Sequence, residues 1–292
     1  MARGLQWTRV ETEEGRLPLV SVVTPSMNQG AFIEETIRSV LEQDYPCIEH
    51  IVVDGGSRDG TLDILSRYPH LRWVSEPDEG QAAAVNKGFA MARGDVFGWL
   101  NSDDLYLPGA IATAVEVLLE SGCGLVHGGW RRIDEGGRTI GDVDAVPFDL
   151  RRQLDYANLV AQPGALFTRA AFEAVGGLDA SYRYAMDYEL FLRIGASFDV
   201  RHVDKVLGAY RYHPHSKTVA ESEGFVDETF RAARTHGARL RSRMVIDFYL
   251  PRRRPWLFRL VRAYRLLRAR DFGGLRARLS SHASRVLRRS AS

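Results

Sequence analysis

Short apolar segments alternate with helical patterns over the first hundred residues, and this alternation constrains the fold most strongly. Four apolar runs have the length and the β-branched content of buried strands: 19–24, 51–53, 71–75 and 95–100. Helical patterns separate these runs, the clearest being an Ala-rich segment at 81–91. The β-α-β-α-β-α-β order predicts an α/β fold, with a Rossmann-like, mostly parallel sheet flanked by helices.

Polar residues follow each of the four predicted strands. In a parallel sheet the carboxyl ends of the strands meet along one edge, where open α/β sheets bind their ligands. The polar residues that should meet there are Thr24, Pro25, Ser26, Asp54, Glu76, Pro77, Asp78 and the run 101–104. We therefore expect them to line a single cleft.

The fourth predicted strand ends near two adjacent carboxylates, Asp103 and Asp104, which follow Asn101. Two neighbouring acids suit a divalent cation, because such ions prefer oxygen ligands and often share them with substrate phosphates. The alternative is capping of the next helix, since Pro108 and an apolar helical pattern follow. The residues alone leave both roles open.

Charge is distributed unevenly along the chain. Residues 252–292 hold 13 Arg and one Asp, a net +12, so the chain total of +2 leaves −10 for residues 1–251. Leu and aromatic residues recur at helical spacing between Leu257 and Leu267, which predicts a basic amphipathic helical tail at 241–292. Such a tail favours an anionic membrane surface as partner. The alternative is a solvated helix packed on the acidic body. Nucleic acid is a poorer partner, because the negative charge of the body would oppose its binding.

The cysteines, the hydropathy pattern and the N-terminal sequence predict where in the cell the protein lies. The two cysteines, Cys47 and Cys123, have no metal-like spacing, which favours reduced thiols in a cytoplasmic protein. No apolar run reaches about 18 residues, and the N-terminus lacks a secretory pattern. We therefore expect a cytoplasmic protein, peripheral at the inner face of the cell membrane. Trp99 and Trp130 are expected to fill the core, and residues 1–17 to form an irregular leader.

Several motifs follow one another in register. They are 21–28 (SVVTPSMN), 52–61 (VVDGGSRDGT), 76–80 (EPDEG), 101–104 (NSDD), 162–163 (QP), 176–179 (GGLD), 186–189 (MDYE) and 210–213 (YRYH). Together they resemble the family 2 glycosyltransferases, which are inverting enzymes of the GT-A fold that use nucleotide-sugar donors. The match covers about residues 18–218. The resemblance implies a GT-A domain at 18–240, with a nucleotide-binding half at 18–110 and an acceptor half at 111–220.

The resemblance also implies roles for residues of the nucleotide-binding half. Asp54 should contact the base, with the turn Thr24-Pro25-Ser26 beside it, and Asp78 should touch the nucleotide. Asp54 could instead simply form a turn ahead of two glycines. Asn101 stands at the first position of the family's D-x-D signature, where many relatives have Asp, and can still contact a ribose hydroxyl.

Catalytic roles are implied in the same way. Asp103 stands where the family's metal-binding carboxylate stands, Asp104 is a second candidate ligand, and His213 should contact the metal or a phosphate. The cation would be Mn²⁺ or Mg²⁺. Arg211 could hold phosphate. Asp187 stands where the family has its general base, although it could also cap a helix.

The expected activity is metal-assisted transfer of a sugar from a nucleotide diphosphate donor to a glycan or lipid-linked acceptor, in cell-surface polysaccharide synthesis. A sugar nucleotidyltransferase is one alternative, but it needs a Gly-rich, basic phosphate loop that residues 24–28 do not provide. A non-catalytic membrane-docking protein that kept the fold is another. The retained Asp103 and Asp187 argue against it.

Overall fold

A computed structural model gives the fold. The structure describes residues 9–12, 15–155, 158–214, 216–217, 222–239, 249–254, 256–257 and 259–260. The chain divides into two compact units, Met1–Ala238 and Arg239–Ser292.

The first unit contains a nine-stranded sheet with helices on both faces. Its strands are β3 (Val20–Ser26), β4 (Ile48–Asp54), β5 (Arg72–Ser75), β6 (Val96–Trp99), β7 (Leu105–Tyr106), β8 (Leu125–Ile133), β9 (Thr139–Val143), β10 (Ala165–Thr168) and β11 (Val200–Arg211). The helices are α1 (Ile33–Leu41), α2 (Thr61–Ser66), α3 (Gln81–Met91), α4 (Ala110–Ser121), α5 (Leu150–Asp155), α6 (Arg169–Ala174), α7 (Met186–Ser197) and α8 (Ser222–Thr235).

The strand order across the sheet is β5-β4-β3-β6-β10-β8-β11-β7, with β9 paired to part of β8. The neighbours β5, β4, β3 and β6 are parallel, and β8 and β11 are parallel to each other. Strand β10 runs antiparallel between β6 and β8, and β7 and β9 are also antiparallel to their partners. The mostly parallel α/β sheet predicted from the alternation is therefore confirmed.

The two faces of the sheet have different cores. One face packs through an aliphatic cluster that includes residues of α1 and α4, such as Val40 and Leu118. The other face carries stacked and tilted rings from three helices and two strands: Phe89, Phe97, Phe167, Phe172 and Phe191. Because Phe191 belongs to α7, this aromatic core fixes the helix that begins next to Asp187.

The expectation of an irregular leader at 1–17 is wrong for the residues that the structure describes there. Strands β1 (Arg9–Thr12) and β2 (Gly15–Pro18) pair antiparallel, with Arg9 opposite Pro18. Each strand has only four residues. Their sequences, RVET and GRLP, hold one aliphatic residue each, so they lack the apolar run that marked the equally short β6.

Little of the second unit is described. A short helix, α9, spans Leu250–Arg253, and the side chains of Trp256 and Leu260 are 61% and 60% exposed. Most of the predicted amphipathic helix lies outside the described residues. Within the described part of the chain, no helix is both long enough and apolar enough to cross a bilayer.

Candidate active site

The structure brings the predicted polar clusters together at the carboxyl edge of the sheet. The Gly55 amide at the end of β4 donates to the Ser26 carbonyl of β3, at 2.8 Å. The Ser75 hydroxyl of β5 donates to Asp54, at 2.7 Å. Asp78 lies so close to Gly55 that a Cβ added there would sit 2.9 Å from its Oδ2. The convergence predicted from the parallel arrangement of the strands is therefore observed for these clusters.

Two loops at this edge are joined by hydrogen bonds. The Asn28 amide donates to the Ser57 hydroxyl at 2.6 Å, and the Asn28 side chain accepts from the Arg58 amide at 2.9 Å. The Gly30 amide donates to Asp59 at 3.0 Å. Asn28 has a φ of 52°, a left-handed conformation that Asn tolerates better than most residues. These bonds hold the loops that follow β3 and β4 in one fixed arrangement.

Asp54 forms the turn that was the alternative to base contact. Its carboxylate is fully buried and accepts from the amides of Gly56 and Ser57, at 3.0 and 2.8 Å, and from the Ser57 hydroxyl. Thr24 is also fully buried, with its hydroxyl 2.9 Å from His50 Nε2. Both residues shape the edge from inside, and contact with a nucleotide remains a prediction for them.

Ser26 and Pro25 lie beside Thr24 and are buried too. The Ser26 hydroxyl has no hydrogen-bond partner among the described residues. Asp78 is half-buried, and its Oδ1 accepts from the Gly80 amide at 2.8 Å. Of the two carboxylates predicted to contact the nucleotide, Asp78 is therefore more open to solvent than the fully buried Asp54.

Asp103 and His213 form a pair at the end of the fourth predicted strand. His213 Nε2 lies 3.0 Å from Asp103 Oδ2, and the two side chains are 2% and 20% exposed, respectively. The Phe32 ring lies 4.7 Å from the His213 ring, centroid to centroid, and fixes its orientation. Among the described residues, no group of three His, Cys, Asp or Glu side chains could hold a metal by itself. One carboxylate and one imidazole still fit a cation that takes its other ligands from a diphosphate and water.

Asp104 occupies a different environment from its neighbour. It is buried, its Oδ1 accepts from the Arg211 amide at 3.1 Å, and its Oδ2 accepts from Asn101 at 3.2 Å. Burial, and then the nearby charge of Asp103, raises the pKa of Asp104 well above its usual value. The capping alternative is not observed, because α4 begins at Ala110 and its N-cap residue is Gly109. This geometry favours a structural role for Asp104 over a metal contact.

Asn101 is at the centre of an amide network. Its Oδ1 accepts from Gln81 at 2.7 Å and from the Trp99 indole at 2.9 Å. Its Nδ2 donates to Asp104 and to Gln162, the latter at 2.9 Å. An Asp at position 101 would lose both donors and add a charge beside the buried Asp104. The departure from the D-x-D signature therefore has a local structural reason.

Arg211 joins three segments of the chain from a fully buried position. Its Nε donates to the Asp103 carbonyl and one terminal nitrogen to the Glu135 carbonyl, both at 2.9 Å. The other terminal nitrogen donates to Glu35 of α1, at 2.6 Å. The guanidinium also lies over Phe32, 5.1 Å from the ring centroid. These contacts favour a positioning role over the predicted phosphate contact.

Asp187 lies in the first turn of α7 and is half-buried. Among the described residues, no Arg, Lys or His side chain forms an ion pair with it. Burial raises the pKa of Asp187 from 3.8 to about 6, and the amides of the helix start offset only part of this effect. The N-cap residue of α7 is Ala185, so Asp187 does not cap the helix. Glu228 of α8 holds the approach to the helix by accepting from the Tyr184 and Ala185 amides.

The match to a family model decides the classification. Residues 21–176 match the model described as Glycosyl transferase family 2. The chain belongs to this family. It is therefore a glycosyltransferase, as the order of its motifs predicted.

Individual relatives agree with this assignment. An uncharacterized glycosyltransferase of Mycobacterium tuberculosis is 38% identical over 184 residues, covering 60% of this chain and 68% of that protein. The chondroitin synthase of Escherichia coli is 29% identical over 196 residues, covering 65% of this chain but only 28% of that enzyme. A mannosyltransferase from Pyrobaculum calidifontis, solved with GDP-Man and Mn²⁺, has a TM-score of 0.64 at 23% identity. The superposition covers 97% of this chain and 84% of the mannosyltransferase chain, and it confirms the GT-A fold.

One residue of the glycosyltransferase site, Gln81, was not predicted from the sequence. Gln81 opens α3 and accepts from Lys217 at 2.7 Å while donating to Asn101, so it links α3 to the segment after His213. The position of Gln81 at a helix start on the ligand edge was the one available clue.

The two tryptophans expected in the core differ. Trp99 is buried as expected, but Trp130 is half-buried and was wrongly expected to be core.

The positioning role of Arg211 has a measurable consequence for the glycosyltransferase. Arg211→Lys should lower the free energy of unfolding by about 2–4 kcal/mol, because an ammonium cannot reach all three acceptors of the planar guanidinium. Urea denaturation measures this. Arg131→Lys is the matched control, since its partner Asp142 is exposed and such pairs contribute about 1 kcal/mol or less. Unchanged stability with weaker nucleotide binding would instead support the phosphate role.

Proposed function

We propose that this glycosyltransferase transfers a sugar from a nucleoside diphosphate sugar to a glycan or lipid-linked hydroxyl, with inversion at the anomeric carbon. The observation that carries the proposal is Asp187, a half-buried carboxylate without an ion-pair partner among the described residues. Its pKa of about 6 keeps it ionised near neutral pH while leaving it basic enough to take a proton.

The reaction is a single displacement. Asp187 removes the proton of the acceptor hydroxyl as that oxygen forms a bond to the anomeric carbon. The bond from the anomeric carbon to the diphosphate oxygen breaks, and the diphosphate leaves with the electron pair. One displacement from the face opposite the leaving group inverts the configuration.

Asp103 and His213 would hold a divalent cation, Mn²⁺ or Mg²⁺. When bound there, it supplies positive charge next to the leaving diphosphate. Phe32 holds the His213 ring, and Arg211 holds the backbone of Asp103 through its carbonyl. These residues keep the two proposed ligands in place before the donor arrives.

The named relatives support the substrate classes. The mannosyltransferase was solved with GDP-Man and Mn²⁺, which fits a nucleotide-sugar donor and a metal. The chondroitin synthase is named for a polysaccharide, which fits an acceptor in cell-surface polysaccharide synthesis. In this proposal the half-buried Asp78 contacts the nucleotide at the carboxyl edge of the sheet, and Asn101 and Ser26 line the same site.

A donor screen tests the proposal. In a thermal-shift assay with UDP-, GDP- and dTDP-sugars, one donor at 100 times its dissociation constant should stabilise the protein by about 2.7 kcal/mol. The stabilisation should increase with Mn²⁺, and the same donor should then support transfer to glycan acceptors. Sugar 1-phosphates with nucleoside triphosphates serve as the control for nucleotidyltransfer. If none of these donors raises the melting temperature, either with or without metal, the proposal is contradicted.

We further propose that the basic tail docks the enzyme at the cytoplasmic face of an anionic membrane, close to a lipid-linked acceptor. Trp256 and Leu260 expose apolar surface next to Arg252, Arg253, Arg254 and Arg259. Basic residues and exposed aromatic residues together favour an interfacial site over bulk water. The alternative of a tail packed on the body predicts no such affinity.

Liposome flotation separates these possibilities. Replacing Arg252, Arg253, Arg254 and Arg259 by Gln should lower binding to anionic vesicles by at least about 10²-fold, since each engaged Arg contributes about 1 kcal/mol. The control replaces four exposed Arg of the body by Gln: Arg38, Arg67, Arg93 and Arg138. Equal losses in both variants, or no binding by the wild type, would contradict docking through the tail.

A further inference from the structure

Three aromatic rings and one arginine share a face at the carboxyl ends of β8 and β11. In the register of these parallel strands, Trp130 is opposite Gly208 and Arg132 is opposite Tyr210. Paired residues lie on the same face of a sheet, and so do alternate residues of one strand. Trp130, Arg132 and Tyr210 therefore share one surface, and Tyr212, one residue beyond the end of β11, joins it through contact with the Tyr210 ring. We call this surface the aromatic face.

The rings of the aromatic face touch edge to face. The Trp130 and Tyr210 centroids lie 6.1 Å apart at 81°, and those of Tyr210 and Tyr212 lie 5.0 Å apart at 71°. All three side chains are half-buried. Part of each ring is thus held by its neighbours and part is open to solvent.

The aromatic face borders the active site on two sides. Pro163 packs directly on Gly208, leaving no room for a Cβ there, and the preceding residue, Gln162, binds Asn101 at 2.9 Å. Tyr212 immediately precedes His213, which lies 3.0 Å from Asp103. A molecule lying on these rings would therefore be next to the proposed reaction centre.

Arg132 differs from its neighbour Arg131. Arg131 forms two hydrogen bonds to Asp142, at 2.8 and 2.9 Å. Among the described residues, Arg132 has no ion pair, and its Nε is buried without a hydrogen-bond partner. Its guanidinium lies over Gly141 of β9, with one terminal nitrogen 3.1 Å from where a Cβ would sit on that glycine. A half-buried guanidinium on the same sheet face as the aromatic rings suits an oxyanion, which it can bind through two parallel hydrogen bonds.

We propose that the aromatic face binds a sugar ring of the acceptor glycan and that Arg132 binds an anionic group on that sugar, a carboxylate or a phosphate. Aromatic rings present a negative face, against which the weakly positive C–H groups of a pyranose ring can lie. The proposal rests on the proposed function and deepens it by naming the acceptor class: an acidic glycan rather than a neutral one.

Binding of defined glycans to the full-length protein tests the proposal. The probes are a trisaccharide that ends in glucuronate, the same trisaccharide with that carboxyl reduced to an alcohol, and the alcohol form carrying a phosphate ester. Dissociation constants are measured by NMR titration without donor. We expect a charged probe to bind at least about tenfold more tightly than the neutral one, and the tighter of the two identifies the anionic group.

Variants assign the two parts of the surface. Trp130→Leu and Tyr212→Leu, which keep apolar volume in case Ala variants do not fold, should weaken all binding by about tenfold. Arg132→Gln should remove the preference for charge. The controls are Trp73→Leu on the edge strand β5, whose side chain is 38% exposed, and Arg131→Gln. Both should bind like the wild type.

The outcomes separate this inference from the proposed function. Wild-type protein that binds no probe at millimolar concentration, or equal binding by Trp130→Leu, would overturn the aromatic site. Equal affinity for charged and neutral probes would overturn the role of Arg132. Donor thermal shifts measured on the same samples test the proposed function alone, because none of these variants should change them.

Discussion

Asp187→Asn should lower the rate of sugar transfer by at least about 10²-fold while leaving nucleotide-sugar affinity unchanged. The amide keeps the shape of the side chain but cannot accept the proton of the acceptor hydroxyl. Because burial disfavours the charge of Asp187, its removal should not lower the melting temperature. Calorimetry of donor binding, a transfer assay and thermal denaturation measure the three quantities on one preparation.

The pH profile of the wild type gives an independent check. A base whose pKa is about 6 is ionised above that pH and protonated below it. The value of kcat/KM should therefore be level above about pH 7 and fall about tenfold per unit below about pH 6. Asp187→Asn should lose this acid limb in its residual activity.

Asp199→Asn is the matched control for Asp187→Asn. Asp199 lies beyond the other end of α7 and its side chain is 79% exposed, so its amide variant should transfer sugar like the wild type. Near-normal transfer by Asp187→Asn would remove this residue from the mechanism. Equal losses of donor affinity and rate would place it in donor binding instead.

Asp103→Asn should abolish metal-dependent transfer, with a loss of at least about 10²-fold. The substitution removes the charged partner that lies 3.0 Å from His213, whereas the Asp103 carbonyl bound by Arg211 is retained. We also expect Mn²⁺ to stop increasing the affinity for the nucleoside diphosphate, a readout that does not depend on turnover. His213→Gln should act in the same direction.

Asp142→Asn is the control for this experiment, because Asp142 is an exposed acid on β9 whose partner is Arg131. It should keep both activity and metal response. Full activity of the wild type in the presence of EDTA would contradict the metal role. Loss of activity in Asp103→Asn with an unchanged Mn²⁺ response would assign Asp103 to another function.

In this glycosyltransferase Asn101 replaces the first Asp of the D-x-D signature. The site therefore has one negative charge fewer, but hydrogen bonds still hold residue 101 in place. Asn101, Gln81 and Gln162 exchange hydrogen bonds where a second carboxylate would otherwise lie. The buried Asp104 is held by Asn101 and by the Arg211 amide. In the proposed mechanism Asp103 is therefore the one acid of this run left for a cation.

The sequence by itself predicted the alternation of strands and helices in the first half and the edge of the sheet at which the polar clusters meet. These features depend on local periodicity and on the order of elements along the chain, and both can be read directly from the residues. The family motifs added the roles of Asp103 and Asp187, which stay proposals. The two-residue strand β7 is too short for any pattern to reveal, and the four-residue strands β1 and β2 lack the apolar run that marked the equally short β6.

Only the tertiary structure decided which polar residues are open to a ligand and which are structural. Arg211 and Asp103 are 108 positions apart, and Arg211 and Glu35 are 176 apart, yet these contacts hold the buried guanidinium that the motif alone presented as a phosphate ligand. Trp130 joined an open aromatic face because β11, from a distant part of the chain, pairs beside it. Burial and hydrogen-bond partners arise from contacts between distant segments, and those contacts leave no periodic trace in the sequence.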